Sequence, residues 1–531
     1  MKKGSIGLTN GKVLTLDTNR HTHSALLIEN GVITILDHSP AVEKIAREKG
    51  IAVINLQGKT VIPGGIDTHF HFFQTGVHLS SIDLNPCRSI REIIDVLQEH
   101  AATRGPEQWI LGKGMDEFKI RERRCPTAQE LDAVFGGALI FLEDRGLHYC
   151  QLNTLAFKRL RIPPGAPGVR KLSDGQSITG QIMEETVGMA RHRLFEQMKE
   201  EYKKQILFEA ARYAASCGIT TLHAMEGGEL FGDGEIPLLL EMRDHLPIKI
   251  SLHWNTFNVE AVKKAGLRVL GGDILLDGAL GSRTAALSSP YADDSEGVGM
   301  LYHEQQDIEK LARECLDAGV QVGFHAIGDR AIEQALSAFE VVAKGSRAWD
   351  RCFRIDHFGL PNPIQVHRAA DLSVVIASQP TFPYRRGGPG SVYESRLGPD
   401  RERHAYPLRE FLDAGLLVAG GSDSVVLPAN LMLGIHSSVN HPHEAQRLTV
   451  DEAIRLYTVN AARIEYEEDV KGTLSIGKAG DLTVLDKSPY DVDPKEIENI
   501  LVMITVVNGL IVYDRSVDRM GEIGSVVVES R

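Results

Sequence analysis

Several things are scarce in these 531 residues. Only six cysteines occur (Cys87, Cys125, Cys150, Cys217, Cys315 and Cys352), scattered and without a CxxC pair. That excludes a disulfide framework and fits free thiols in a reducing cytoplasm. Positive charge is outweighed, 58 Lys+Arg against 71 Asp+Glu for a net charge of −13, which argues against broad nucleic-acid binding. No apolar run is long enough to span a membrane, and the start "MKKGSIGLTNGKVLTLD" puts no apolar stretch behind its two lysines. Neither a membrane partner nor a secretory leader is expected. Repeats and low-complexity tracts are missing too. What remains is an ordinary globular composition, 43% hydrophobic and 24% charged, at a length suited to a large barrel with an appendage or to two domains.

The two ends resemble each other. Asn10-Gly11, Asn30-Gly31 and Asn508-Gly509 each lie between β-rich runs, and Asn-Gly suits a two-residue type I′ hairpin because both central residues need positive φ. Hairpins split between opposite ends predict one composite β-sandwich from residues 1–60 and 470–531; separate caps at each end are the alternative. The middle, 61–469, alternates apolar strands with helical segments. Strands are expected at "TVIPGGID", "GITTLH", "IKISLHW", "DILLDG", "VQVGFH", "FRIDHFG", "SVVIASQP" and "LLVAGGSD". Eight strands alternating with helices predict an α/β fold, a (β/α)₈ TIM-like barrel whose chemistry gathers at the C-terminal strand ends. Two surplus apolar runs, "WILGKG" and "ALIFLEDRG", fall in an insertion after strand one, at about 80–205.

The stretch "GGIDTHFHFF" closes with His69 and His71. Residues i and i+2 of a strand face the same side, so both imidazoles point one way at the end of strand one. An HxH pair alone is weak evidence of a metal. Three more apolar runs end in an ionisable side chain: "VQVGFH" in His325, "FRIDH" in His357 and "LVAGGSD" in Asp423. Nitrogen and carboxylate donors converging at one barrel mouth suit a divalent ion, zinc first, with manganese or iron as alternatives.

The motifs "VIPGGIDTHFH", "DGALGSRTAAL", "HAIGDRA", "IDH", "SQP" and "GGSD", in this order, with "LTVDEAIRLYTVNAA" and "GTLSIGKAGDLTVLD" after them, resemble the amidohydrolase superfamily. Within it they are similar to the YtcJ-like branch, which includes N-substituted formamide deformylase. The resemblance covers nearly the whole chain and implies the same barrel and composite sandwich. It also implies that His69 and His71 bind the more buried metal, that His325 and His357 are ligands from strands five and six, and that Asp423 both touches metal and takes a proton from the attacking water. A homodimer is a common arrangement in the family.

The pattern departs at strand four. Relatives commonly carry a lysine four residues before the Asp-Gly of "DGALGSRTA"; here that position is Asp273, and no lysine lies between Leu267 and Leu301. Three readings stay open: Asp273 bridges two metals; one metal sits among His69, His71, His325 and Asp423; or the site has decayed. Asp273 also reads as a loop acid at the strand entry, and alternation leaves Asp277 as a second inward candidate. Arg283 is a candidate for holding a substrate carbonyl or carboxylate, or the oxyanion alongside His357, with a structural salt bridge as its rival. His148, in the insertion, is placed by the resemblance on the substrate pocket, and His223, ending strand two, is a further substrate contact. His253 reads as a packed core residue, and Asp329 as an anchor for the following helix. The Arg- and Gly-rich segment after strand seven reads as a mobile lid or a solvated loop. His436, His441 and His443 form a weaker second metal candidate. The expected activity is metal-dependent hydrolysis of a C–N bond, amide or N-formyl/N-acyl, in a small molecule. Deamination of a nitrogen heterocycle is the nearest rival, and a non-catalytic binding protein on the same fold is the other.

Overall fold

The computed structural model describes residues 1–517 apart from 102–108, 118, 136, 145–148, 173, 184, 229–231 and 345–349. His148 lies outside the described residues. Eight parallel strands form one sheet in sequence order: β1 Gly65–Phe70, β2 Ile219–Glu226, β3 Lys249–Trp254, β4 Val269–Leu275, β5 Gln321–Ala326, β6 Phe353–His357, β7 Val375–Ser378 and β8 Leu417–Gly420. A parallel bridge between Phe70 and Ser424 closes the sheet into a barrel. The seam is reinforced where Asp423 N donates to His69 O (2.8 Å) and His71 N donates to Ser424 O (2.8 Å). Ser422 N also donates to the buried Asp67 carboxylate (2.9 Å). Closure removes the edges that an open parallel sheet would leave exposed.

A four-stranded sheet and a six-stranded sheet pack as the composite sandwich, the second one drawing Leu482–Leu485, Val502–Val507 and Leu510–Asp514 beside Lys12–Leu14 and Thr60–Pro63. Leu8, Leu26 and Ile28 from the first sheet share one buried core with Val61, Val484 and Val506 from the second. Two of the three Asn-Gly pairs are hairpin turns: Asn30-Gly31 and Asn508-Gly509 have positive φ at both residues and join Glu29 to Val32 and Val507 to Leu510. Asn10-Gly11 is not. Its flanking strands belong to different sheets, and a Cβ on Gly11 would meet Leu56 Cδ1 at 2.5 Å, so glycine serves close packing at a crossover.

"TVIPGGID", expected as one strand, is two. Thr60–Pro63 pairs within the sandwich while Gly65 opens β1. The chain changes sheets at Gly64, where any Cβ would collide with Thr220. The fourth strand is also displaced: it runs Val269–Leu275 rather than from Asp273 onward. Positive φ at Gly271 and Gly272 accompanies a register shift against β5, and these glycines carry the strand past a kink that other residues resist.

The described residues fall into two compact units. One contains sandwich and barrel; the other runs over Phe73–Glu209 with a short return before Ile236. Trp109–Met115 and Leu139–Asp144, the two surplus runs, lie in the five-stranded sheet of this second unit, around a core including Ile93, Leu97, Leu131 and Leu142. No helix among the described residues is long and apolar enough to cross a membrane.

Candidate metal centre

The C-terminal ends of the barrel strands bring six side chains together. His69 and His71 come from β1 and the residue following it, Asp273 from β4, His325 from β5, His357 from the last position of β6, and Asp423 from just beyond β8. All six are buried. They supply three overlapping triads of metal-ligand type: His69–His71–Asp273, His69–His357–Asp423 and Asp273–His325–His357.

Asp273 stands in the middle of this group. Its Oδ1 lies 3.2 Å from His325 Nδ1 and 3.9 Å from His69 Nε2, and its Oδ2 lies 4.0 Å from His71 Nε2. It is therefore near the mouth of β4, not a loop acid at the strand entry. Asp423 Oδ1 lies 3.0 Å from His71 Nε2 and 3.7 Å from His69 Nε2. His357 reaches the cluster against simple alternation. Arg354 and Asp356 take the inward face of β6, so His357 should point away. Its φ of 70°, followed by 51° at Phe358, turns the ring back until it lies 4.3 Å from His325 and 4.9 Å from His69 between ring centroids. Non-glycine residues at positive φ are uncommon and gather at functional sites; Asp423, at 56°, is another.

The electrostatics match a site built for a cation. Burial opposes charge on His71, yet Asp423 and Asp273 hold its imidazolium up to about 9. Burial likewise opposes charge on Asp273 and Asp423, but bonds and charges from His325, His71 and His69 keep both below the ordinary carboxylate range. His357 is pushed well down by burial and then by its histidine neighbours. The residues fit a divalent ion on a direct observation: His69 Nε2, Asp273 Oδ2 and His357 Nδ1 are buried without a hydrogen-bond partner. Such orphans are costly unless something not drawn from the chain satisfies them.

The other candidates have other partners, Asp277 included, although its Oδ1 lies 3.8 Å from His325 Nε2. Asp277 accepts from the backbone N–H groups of Ala286, Ile327 and Gly328 (2.8, 2.9 and 2.7 Å), organising the mouth loops; burial lifts it to about 6. Arg283 is engaged by Asp293 (3.0 and 2.8 Å) rather than by Asp277, and is not brought to the cluster. His223 is not at the mouth either. It is buried in the barrel, stacked on His253 at 5.2 Å, with Nδ1 lying 3.2 Å from Glu465 Oε1. Asp329 opens its helix and accepts from Ser288 N (2.9 Å). The segment after β7 is largely helical, Thr381–Arg386 and Val392–Glu402. It is pinned where Glu402 accepts from Gly388 N (2.6 Å) and pairs with His443 (2.6 Å). His436 bonds Tyr384 instead (2.9 Å) and His441 Nδ1 accepts from His443 N (3.2 Å), so the three histidines have separate partners and do not form a ligand triad among the described residues.

Sequence reasoning missed the groups behind His69. Its Nδ1 donates to Asp356 Oδ1 (2.8 Å), and Arg354, fully buried, grips both oxygens of Asp356 (2.7 Å each). An Arg-x-Asp pair inside an apolar strand was the available signal.

Comparison with known proteins gives the family and the fold. The YtcJ protein of Bacillus subtilis (strain 168) is 28% identical over 540 residues, covering 95% of this chain and 99% of its own. N-substituted formamide deformylase of Arthrobacter pascens is 27% identical over 541 residues, covering 96% and 98%. The crystal structure of an uncharacterized metal-dependent hydrolase from Pyrococcus furiosus is similar with a TM-score of 0.77 and 26% identity, covering 92% of this chain and 100% of that one. Atrazine chlorohydrolase TrzN from Arthrobacter aurescens TC1, complexed with zinc, shares the fold at a TM-score of 0.52 and 15% identity, covering 98% of each. Residues 52–513, which include β1 through β8 and every member of the cluster, match the amidohydrolase family, and to that family this chain belongs.

Proposed function

We propose that the protein is a metal-dependent amidohydrolase that cleaves a C–N bond, amide or N-formyl/N-acyl, of a small molecule. The observation that carries this reading is the convergence of four histidines and two aspartates at one barrel mouth with buried, unpartnered ligand atoms. His69, His71, His325, His357, Asp273 and Asp423 would hold one or two divalent ions. Asp273 belongs to two of the triads and is assigned as their shared carboxylate in place of the family's usual lysine. Zinc is the first choice, suited to mixed imidazole and carboxylate donors and present in a relative of the same fold. When bound, a divalent ion supplies Lewis acidity toward a carbonyl and lowers the pKa of a water.

The chain's own groups do the rest. Asp423, kept ionised near neutral pH by the histidines around it, is the base that takes the water proton and returns it to the leaving nitrogen. His357, kept neutral, is available as a ligand or as a hydrogen-bond donor to a developing oxyanion. The Phe382 ring lies parallel to it at 6.1 Å and forms an apolar wall. Arg283, occupied by Asp293, has no role in this reading.

The test is metal per chain by elemental analysis, with turnover of His69→Ala and Asp423→Asn on a panel of N-acyl and N-formyl compounds. Asp423→Asn should cost about 10²–10⁴ in kcat, the usual contribution of a general acid–base. Undiminished turnover in both variants would sink the assignment. Ammonia release from purines or pyrimidines would replace it with deamination.

A further inference from the structure

Behind the metal centre lies a second buried cluster. Glu465 Oε1 contacts His253 Nε2 and lies 3.2 Å from His223 Nδ1. The same His223 nitrogen lies 3.3 Å from Arg354 Nη1. Arg354 in turn donates to Thr68 O (2.5 Å) and to both oxygens of Asp356, and Asp356 accepts from His69 Nδ1. Glu465 enters from the opposite end of the barrel to the mouth: the Ile464 carbonyl beside it accepts from Gln321 Nε2 (2.9 Å), and Gln321 is the first residue of β5. A continuous polar column thus runs through the barrel from Glu465 to a metal-ligand histidine, and Glu465, His223, Arg354, Asp356 and His69 are all buried.

The lower triad His223–His253–Glu465 has the donor types and spacing of a metal site, but a guanidinium within hydrogen-bond range of one donor opposes a divalent ion there. The cluster already contains its cation. We infer that Asp356, Arg354 and Glu465 are positioning residues: the column fixes the ring and tautomer of His69, Nδ1–H toward Asp356, so that Nε2 faces the metal centre. This inference rests on the metal-centre reading above. The physical argument is orientation. A ligand histidine whose far nitrogen donates to a carboxylate presents the other nitrogen as a lone pair in a fixed direction and gains basicity. Asp356 can do this only if it is itself held, and a bidentate guanidinium is the strongest available anchor. His223, itself held by Glu465 and stacked on His253, abuts the far side of Arg354 and helps hold it in place. Because Glu465 follows the last barrel helices, the orientation of a strand-one ligand depends on the chain returning beneath the barrel near residue 465.

The experiment uses the full chain and measures zinc affinity by competition with a chromophoric chelator, alongside thermal unfolding of the metal-free protein. Four variants are compared: Asp356→Asn, Glu465→Gln, His253→Gln and Val506→Ala. The last opens a cavity in the sandwich core and controls for lost stability alone. Asp356→Asn keeps size and a carbonyl acceptor but loses the charge, and should weaken zinc binding by about 10- to 100-fold. Glu465→Gln touches no proposed ligand and should weaken it in the same direction by less. Val506→Ala should lower the unfolding temperature with affinity unchanged. If one of the first two fails to fold, the other still decides. Wild-type affinity in whichever of them folds would overturn the positioning role while leaving the metal centre intact. Loss of a whole zinc equivalent in His253→Gln would also overturn it, by making the lower triad a ligand set. A wild-type chain that binds no zinc would overturn both this inference and the proposed function.

Discussion

Two buried histidine–carboxylate clusters occupy one barrel, built from the same residue types at similar spacing, and they differ in one respect. At the mouth, the ion pairs of Asp273 and Asp423 among the described residues are all to histidines. In the interior, Arg354 stands among Asp356, His223 and, beyond His223, Glu465. The mouth, without a fixed cation, leaves His69 Nε2, Asp273 Oδ2 and His357 Nδ1 unpartnered and fits a metal; the interior, where among the described residues only His253 Nδ1 is left so, already holds a cation and serves as a strut. Donor spacing alone does not separate the two, because both meet it. Titration separates individual histidines rather than whole clusters. Carboxylates raise His71 at the mouth to about 9, whereas burial lowers His223 and His253 in the interior and His357 at the mouth.

The harshest way to break this comparison is to remove the interior cation. Arg354→Met leaves the Asp356 carboxylate buried without its guanidinium, and should cost about 3–5 kcal/mol of stability, the usual penalty for breaking a buried ion pair from one side. Denaturant unfolding of the metal-free protein measures it. A loss of only a few tenths would mean the column is not charged as drawn.

Next comes pH. In the metal-free protein the raised folded pKa of His71 contributes stability that is complete below about 6.5 and is lost as pH rises toward about 9. The lowered pKa values of His223 and His253 work the other way, their contribution being lost as pH falls below about 6.5. His71→Gln should flatten the alkaline arm of the stability profile and His253→Gln the acidic arm, each by at most about 1.4 kcal/mol per pH unit. Metal binding requires neutral His71, so zinc should bind more tightly as pH rises toward about 9, with proton release that a pH indicator records.

A gentler break uses backbone. Gly272 has a φ of 107°, and a Cβ there would lie 2.7 Å from Met225 Sδ and 3.3 Å from Asp356 Oδ2. Gly272→Ala should cost about 1–3 kcal/mol through overpacking and strain, and should weaken zinc binding because it presses on Asp356. The smallest effect is expected at Arg283, whose partner is Asp293 at the surface. Arg283→Met should leave zinc content unchanged and kcat/KM within the same order of magnitude; a steep loss of turnover would restore it to the substrate.

The mouth was more legible in the sequence than the interior. His69, His71, His325 and Asp423 each stand where an apolar run stops, and two-residue alternation put the first two on one face. Asp277 was a fair rival to Asp273, and only the three backbone N–H groups converging on it show that it braces loops. His223 was placed correctly on a barrel strand but at the wrong level, since the run that ends at His223 in the sequence continues as β2 to Glu226. The interior column went unread because its members are distant: 212 residues separate His253 from Glu465, and 286 separate Arg354 from Thr68.

The sequence by itself determined the elements and their kinds: eight strands alternating with helices, a sandwich shared between the ends, an insertion with its own strands, and ionisable side chains waiting at strand termini. Those follow from local rules, hydrophobic period and turn chemistry, which act over a few residues. Only the tertiary structure decided that His357 turns inward through a positive φ, that a paired glycine kink carries Asp273 to the mouth, and that Arg354 fills one histidine cluster while leaving the other open. The reason is closure. Bringing β8 against β1 fixes which buried charges face each other across the barrel, and charge pairing between strands far apart in the chain has no local period to betray it.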